Sequence, residues 1–364
     1  MVFIWSILVL VLIVVGLAVL LTVAESVLVN YGVCTIDVNA SEKSLEVEGG
    51  QSLLSGLIES KIFIPSACGG QGTCGFCKIQ VLDGGGPILP TETPYISRGE
   101  RRDGVRLACQ VKIRQDIRVK IPEDLLNVKL FNATVISTEA MTSNIKEIRF
   151  KLNDPSEIIS RVGQYVQVQA PSPDGPVFRA YSISSAVYET DEVELVVRLI
   201  PGGIGSTYLH NLAVGDPVEF TGPYGDFIFD EDPDTELICV GGGAGMAPMK
   251  NIIQSMYRQQ PDRKCWLFFG CRAKDDIFYL EMFEEMAEKH PNFHVVYGLS
   301  EPKPEDDWNG ETGFIHLSLD KMIEANGAKR QAFLCGPPPM IDAVTKVLLA
   351  KGLPDDRIFF DDFG

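Results

Sequence analysis

Positive charge is what this sequence is short of. Lysine and arginine together number 32 against 49 aspartates and glutamates, a formal net charge of −17 over 364 residues. Nucleic acid phosphates would repel such a chain, so no nucleic acid partner is expected. Internal repeats are missing, and the first 24 residues hold no charge at all. The spacing of a disulfide framework is also lacking. Nine cysteines is an odd number, and five stand isolated: Cys34, Cys239, Cys265, Cys271 and Cys335. A chain this long needs no such framework.

The charge deficit is uneven. Residues 34–122 hold 10 acidic and 11 basic side chains, whereas residues 123–364 hold 38 and 21. That change of character near residue 122 marks a domain boundary, and the length itself calls for two or three domains. At 1.5 Å rise per residue, about 20 apolar residues cross a bilayer. The uncharged run lacks the basic residue that opens a cleaved signal peptide. A retained transmembrane helix over 1–24 is therefore expected. The first basic residue is Lys43, too distant for flanking charge to orient that helix.

Beyond the helix, three patterns follow. "CTIDVN" and "KSLEVEG" read as strands, "QSLLSGLIES" as a helix, and "CKIQVLDG", "RLACQVKI" and "DIRVKI" as strands. This suits a compact β-grasp-like unit over 33–122. Short alternating strands over 130–229, from "NATVISTEAM" to "DPVEFTGPYG", suit an antiparallel β-barrel, with "GPYG" as a closing turn. Over 235–364 strands alternate with helices, the pattern of a doubly wound α/β sheet.

In "CGGQGTCGFC", Cys68, Cys74 and Cys77 are spaced C-x5-C-x2-C, and Cys109 follows in "RLACQ". Four thiolates from one wrapped loop and a neighbouring strand suit a [2Fe–2S] cluster. Structural zinc usually shows two paired knuckles, and here there is one. Gly69, Gly70, Gly72 and Gly75 let the loop curl with positive backbone dihedrals and without inward Cβ atoms.

"RAYSISS" places Arg179, Tyr181 and Ser182 in a strand, an arrangement able to meet a phosphate and an aromatic ring face. In "PGGIGSTYL", Gly203, Ser206 and Thr207 open a short helix whose free amides suit a pyrophosphate. "VGGGAGMAP" sits between strand and helix, where glycines allow close approach of a dinucleotide, though the match to G-x-G-x-x-G is imperfect. Cys335, in "FLCGPPPM", lies at a strand end that the following Gly-Pro turn is expected to expose. For Cys239 and Cys265 the expectation is a buried core position.

"RAYS", "PGGIGST", "GGGAGMAP" and "CGPPPM", in this order, resemble the ferredoxin–NADP⁺ reductase superfamily. With "CGGQGTCGFCKIQVLDGGGPILPTE", "ISRGE", "RLACQV", "NGETGFIH" and the terminal "DDFG", nearly the whole chain is similar to the F subunits of bacterial sodium-translocating NADH:quinone reductases. That family carries a long insert before "RAYS", where this chain has only "SPDGPVF".

The resemblance implies FAD on Arg179, Tyr181 and Ser182, with Gly203, Ser206 and Thr207 at its pyrophosphate. It implies a dinucleotide facing Gly242, Gly243, Ala244 and Gly245, with Cys335 near the nicotinamide. Phe363 would cover the flavin ring. Ser182, Cys335 and Phe363 are the expected catalytic residues, and Cys68, Cys74, Cys77 and Cys109 the expected iron ligands. NADH would pass hydride to FAD, and the [2Fe–2S] cluster would pass single electrons to other membrane subunits and, through them, to quinone. The soluble domains would then face the cytoplasm from a single-pass anchor in the bacterial inner membrane. The alternative is a membrane-tethered reductase that supplies a monooxygenase or desaturase.

Overall fold

The computed structural model describes residues 5, 10–20, 31–40, 42–173, 175–225, 229–325 and 329–362. Within the uncharged N-terminal stretch, residues 10–20 are helical and exposed, and most of the remainder lies outside the described residues. Among the described residues, no helix is long and apolar enough to cross a membrane. The chain divides into two compact units, Met1–Val128 and Lys129–Gly364.

In the first unit, five strands form one sheet: β1 (Val33–Val38), β2 (Lys43–Glu48), β3 (Lys78–Asp83), β4 (Val105–Leu107) and β5 (Ile117–Lys120), in the order β2-β1-β5-β3-β4. β1 runs parallel to β5 and antiparallel to β2. The helix Leu53–Glu59 packs Leu53, Leu54 and Leu57 into the same core as Ile36, Val38, Ile117 and Val119. Period-two alternation on β1 and β5 puts one face of each strand under that helix. This is the expected β-grasp.

One strand expectation fails instructively. "RLACQVKI" is not continuous: β4 stops at Leu107, and residues 108–110 form a turn closed by the amides of Gln110 and Val111 on the Leu107 carbonyl. Cys109 therefore sits in a turn, which lets its thiol leave the sheet.

The second unit opens with six antiparallel strands: β6 (Lys129–Ala140), β7 (Ile145–Asp154), β8 (Tyr165–Ala170), β9 (Val177–Ser182), β10 (Glu192–Arg198) and β11 (Pro217–Tyr224). Their order is β10-β7-β6-β11-β8-β9, and a bridge between Ile183 and Leu195 joins the two ends into a barrel. "GPYG" is not a separate turn: Gly222, Pro223 and Tyr224 belong to β11, where the pairing with β8 shifts between Thr221 and Tyr224.

The parallel sheet comprises β12 (Glu236–Gly242), β13 (Cys265–Cys271), β14 (Phe293–Leu299), β15 (Glu311–Thr312), β16 (Arg330–Gly336) and β17 (Ile358–Asp362), in the order β15-β14-β13-β12-β16-β17. Leu237 and Cys239 of β12 face one core with the helices Met246–Gln259 and Leu280–Lys289. Ile238 and Val240 face the other, with the helices Ile315–Met322 and Pro338–Ala350. Central strands buried on both faces are what a doubly wound sheet requires. Cys239 and Cys265 are core residues with no exposure.

Candidate functional site

The Cys68–Cys77 loop has left-handed backbone at Gly69, Gly70, Gly72 and Gly75. A Cβ on Gly72 would fall 2.5 Å from Gln110 Nε2, and one on Gly75 would fall 2.7 Å from Tyr95 Cδ1. The crowding at these two positions thus comes from side chains of neighbouring segments. Tyr95 also donates its hydroxyl to the Thr73 carbonyl at 2.8 Å, tying residues 84–97 to the cysteine loop.

The four grouped thiols form two pairs. Cys74 Sγ lies 3.4 Å from Cys68 Sγ, and Cys77 is hydrogen-bonded to Cys109. The bond from Cys74 lowers the Cys68 thiol to about 3, and the bond from Cys77 lowers Cys109 to about 7. The same bonds, with burial, push Cys74 and Cys77 up. Among the described residues, no three or more His, Cys, Asp or Glu side chains converge as on a single metal ion. Two thiol pairs fit a two-iron cluster, which takes four thiolates over two metals.

A buried ion pair holds this site together. Glu92 has no exposure, and its carboxylate accepts from Arg106 Nη2 at 2.7 Å and Nε at 2.9 Å. It also accepts from the Leu89 and Leu107 amides. Arg106 spends its other donors on the carbonyls of Gly85, Gly86 and Pro87. One pair therefore fastens the "GGGPILPTE" loop to β4, two residues before Cys109. Burial alone would raise the Glu92 carboxyl; Arg106 and the two amides outweigh it and hold it below the usual range. Sequence reading missed this pair, since only the fold brings residues 92 and 106 together.

In the barrel, Arg179 and Tyr181 on β9 come against the helix Ile204–Asn211 at Gly205. A Cβ there would lie 2.6 Å from Tyr181 Oη and 2.8 Å from Arg179 Cγ. Gly205 is thus the glycine that lets strand and helix N-terminus meet, a role sequence reading did not assign. Ser206 is buried, and its hydroxyl accepts from the Ile200 amide at 3.1 Å, shaping the turn. Thr207 is exposed, and its amide already donates to the Gly203 carbonyl. The amides that the helix leaves open are therefore those of Ile204, Gly205 and Ser206. Ser182 is buried and pairs with Tyr165 across β8 and β9. Burial raises the Tyr181 hydroxyl, keeping it neutral.

Tyr165 also lines a cavity of about 310 Å³ with Gly163, Gly225 and residues Ile358–Asp361. The last strand therefore runs beside the strand pair that carries Ser182. Phe363 lies outside the described residues.

The glycine turn runs from the end of β12 through Gly243 to Gly245, with φ of 57° at Gly243. A Cβ on Gly245 would fall 2.1 Å from the Cys335 carbonyl oxygen, so the turn packs directly on the end of β16. Gly241 pairs with Cys335, and Cys335 with Asp361. Gly242, Gly243, Ala244, Gly245 and Cys335 are thus brought together. Cys335 itself has no exposure, whereas an open strand end was expected. Gly245 and Met340 close over that end.

Helix Met246–Gln259 leaves this turn and meets the barrel. Lys250 Nζ lies 2.5 Å from Glu194 of β10 and 3.4 Å from Glu147 of β7. Glu194 also accepts from Ser184 Oγ at 2.6 Å and pairs with Arg149. Burial would raise the Glu194 carboxyl, but Lys250, Ser184 and Arg149 outweigh it and keep it charged.

Three family descriptions match the chain: a 2Fe-2S iron-sulfur cluster binding domain over 36–114, an oxidoreductase FAD-binding domain over 132–229 and an oxidoreductase NAD-binding domain over 239–346. The F subunit of the Na(+)-translocating NADH-quinone reductase of Neisseria meningitidis is 38% identical over 97% of both chains. The chain belongs to that family of F subunits. The Yersinia enterocolitica member is 37% identical with the same coverage. The alignment to the Neisseria protein runs over 394 positions, more than this chain's 364 residues, so the relative holds residues that this chain lacks.

Among solved structures, Amycolatopsis cytochrome P450 reductase GcoB is 30% identical, with a TM-score of 0.71 over 91% of this chain and 98% of that one. The ferredoxin reductase in carbazole 1,9a-dioxygenase is 27% identical, with a TM-score of 0.69 and the same coverage. As a member of the F-type family, the chain binds FAD and a [2Fe–2S] cluster and takes its electrons from NADH.

Proposed function

We propose that this chain is the electron-input subunit of a sodium-translocating NADH:quinone reductase in a bacterial inner membrane. The observation that carries this reading is identity of 38% to a named member over 97% of both chains. Bound FAD accepts hydride, two electrons at once, and the cluster takes electrons one at a time, so the chain splits a pair into single electrons. The chain's own residues bind and orient the groups involved. Arg179, Tyr181 and Ser182 would hold the flavin, and the open amides of Ile204, Gly205 and Ser206, beside Gly203 and Thr207, would suit its pyrophosphate. Residues 242–245 would receive the dinucleotide beside the end of the Cys335 strand, and the role of covering the flavin would fall to Phe363. Cys68 with Cys74, and Cys77 with Cys109, would each hold one iron.

The membrane anchor is the uncharged stretch 1–24, and the soluble domains face the cytoplasm, where NADH is. Other membrane subunits carry the electrons to quinone and move the sodium, because one helix forms neither a quinone pocket nor an ion path. The likeness to GcoB and to the dioxygenase ferredoxin reductase favours a second reading, an oxygenase reductase. Quinone reduction by NADH in native membranes, with sodium varied, separates the two. Sodium-stimulated quinone reduction that disappears when this chain is deleted is expected. Sodium-independent flow, with electrons delivered to an oxygenase instead, supports the second reading.

A further inference from the structure

Three side chains of one helix tie the dinucleotide-binding half of the second unit to its barrel. Lys250 reaches Glu194 and Glu147, and its ammonium sits 4.5 Å from the Tyr279 ring centroid. Tyr279 in turn donates to Glu147. Asn251, with no exposure, accepts from the Gly163 amide at 2.9 Å and donates to the Ser185 carbonyl. Ser255 Oγ accepts from the Val187 amide at 3.0 Å.

Both ends of this connection matter. On one side, Lys250 and Asn251 stand in the first two turns of Met246–Gln259, directly after the glycine turn. On the other, Ser184 and Ser185 follow the end of β9, one residue past Ser182. Ser184 bonds the same carboxylate oxygen of Glu194 that Lys250 does, at 2.6 and 2.5 Å. The dinucleotide turn and the flavin strand are thus fastened through one buried carboxylate and one buried amide.

We propose that Lys250 and Asn251 are positioning residues for hydride transfer, which set the glycine turn against the strand carrying Arg179, Tyr181 and Ser182. Such transfer depends steeply on placement, and a shift of about 1 Å costs on the order of 100-fold in rate. The inference rests on the NADH-to-FAD reading above.

The test uses the full-length chain loaded with FAD and cluster, compared as wild type, Lys250→Met, Lys250→Arg and Asn251→Leu. Flavin bleaching by saturating NADH is followed by stopped flow, beside FAD content and the NADH concentration for half-maximal rate. Exchange of the Gly163 and Val187 amides is read in parallel. Lys250→Met and Asn251→Leu are expected to bleach at least about 10-fold more slowly. Their FAD content and half-saturating NADH should match wild type, and the Gly163 and Val187 amides should lose protection. Lys250→Arg is expected to stay within about threefold of wild type, since it can still pair with Glu194. If Lys250→Met does not fold, the Lys250→Met/Glu194→Gln double variant removes both buried charges and should be slow in the same way. Wild-type bleaching in these variants, or a loss that follows lost FAD or weakened NADH binding, overturns the proposal. A wild-type chain that NADH does not bleach refutes the underlying reading instead.

Discussion

Replacing Glu92 by glutamine isolates what the buried pair does for the cluster site. The new amide keeps the volume and loses the charge. Arg106, 4% exposed, would then stand in the interior without its counter-charge. The two carboxylate oxygens accept separately from the Leu107 and Leu89 amides, at 3.0 and 2.8 Å. A glutamine NH₂ must therefore face one of these donors. Breaking one partner of a buried pair costs about 3–5 kcal/mol, a large share of the roughly 5–15 kcal/mol that a domain has. For a domain of this size each kcal/mol moves the midpoint by roughly 4–8 °C, so the first unit should melt about 12–40 °C lower.

The assay is thermal unfolding of the holo chain with iron content and the visible cluster bands read beside it. Cluster loss should accompany the lower midpoint, while NADH still bleaches the flavin, because Glu92 lies in the first unit and the flavin and dinucleotide residues in the second. The pH dependence has a definite sign. The folded Glu92 carboxyl is held below its unfolded value of about 4.3. Its contribution is present above that value and disappears as pH falls through the lower folded one. Acid sensitivity of the first unit below about pH 4 should therefore weaken in Glu92→Gln. A variant with the wild-type midpoint and full cluster would refute the reasoning.

Other perturbations bear on the remaining sites. Cys109→Ser should remove the cluster's visible and paramagnetic signatures and leave flavin bleaching by NADH within about twofold, as checked by spectroscopy on the purified chain. In Gly245→Ala the new methyl meets the Cys335 carbonyl at 2.1 Å, so backbone must move; flavin bleaching should slow at least about 10-fold with FAD content retained. Gly205→Ala places its methyl 2.6 Å from Tyr181 Oη and should lower bound FAD, measured as flavin released per chain, while the cluster bands persist.

Much of this arrangement was legible in the residue order, and the exceptions share a cause. The cysteine loop declares itself because ligand spacing and positive-φ glycines are local demands, met within ten residues. The apolar runs of β12 and β16, unbroken by alternation, likewise report strands buried on both faces. Contacts between distant segments leave no such mark. Glu92 with Arg106, and Lys250 with Glu194, are ordinary charged residues until the fold buries them together. Gly205 was hidden for a related reason: "PGGIGS" advertises a turn, but only the packing of Tyr181 and Arg179 shows which glycine must lack a side chain. The pattern of "RLACQVKI" predicts a strand through Cys109, whereas the backbone turns after Leu107. The Cys335 strand end was expected to be open because a Gly-Pro step follows, yet Gly245 covers it from another element.

Electrons pass from NADH through the flavin to the cluster within this chain. Mixing the holo full-length chain with NADH, while following flavin absorbance and the paramagnetic signal of the reduced cluster over time, tests it most directly. Flavin should bleach first and the cluster signal rise after it, with the first phase kept and the second lost in Cys109→Ser. A cluster that NADH reduces equally fast in chain stripped of FAD, or one that stays oxidised while the flavin is fully bleached, would contradict it.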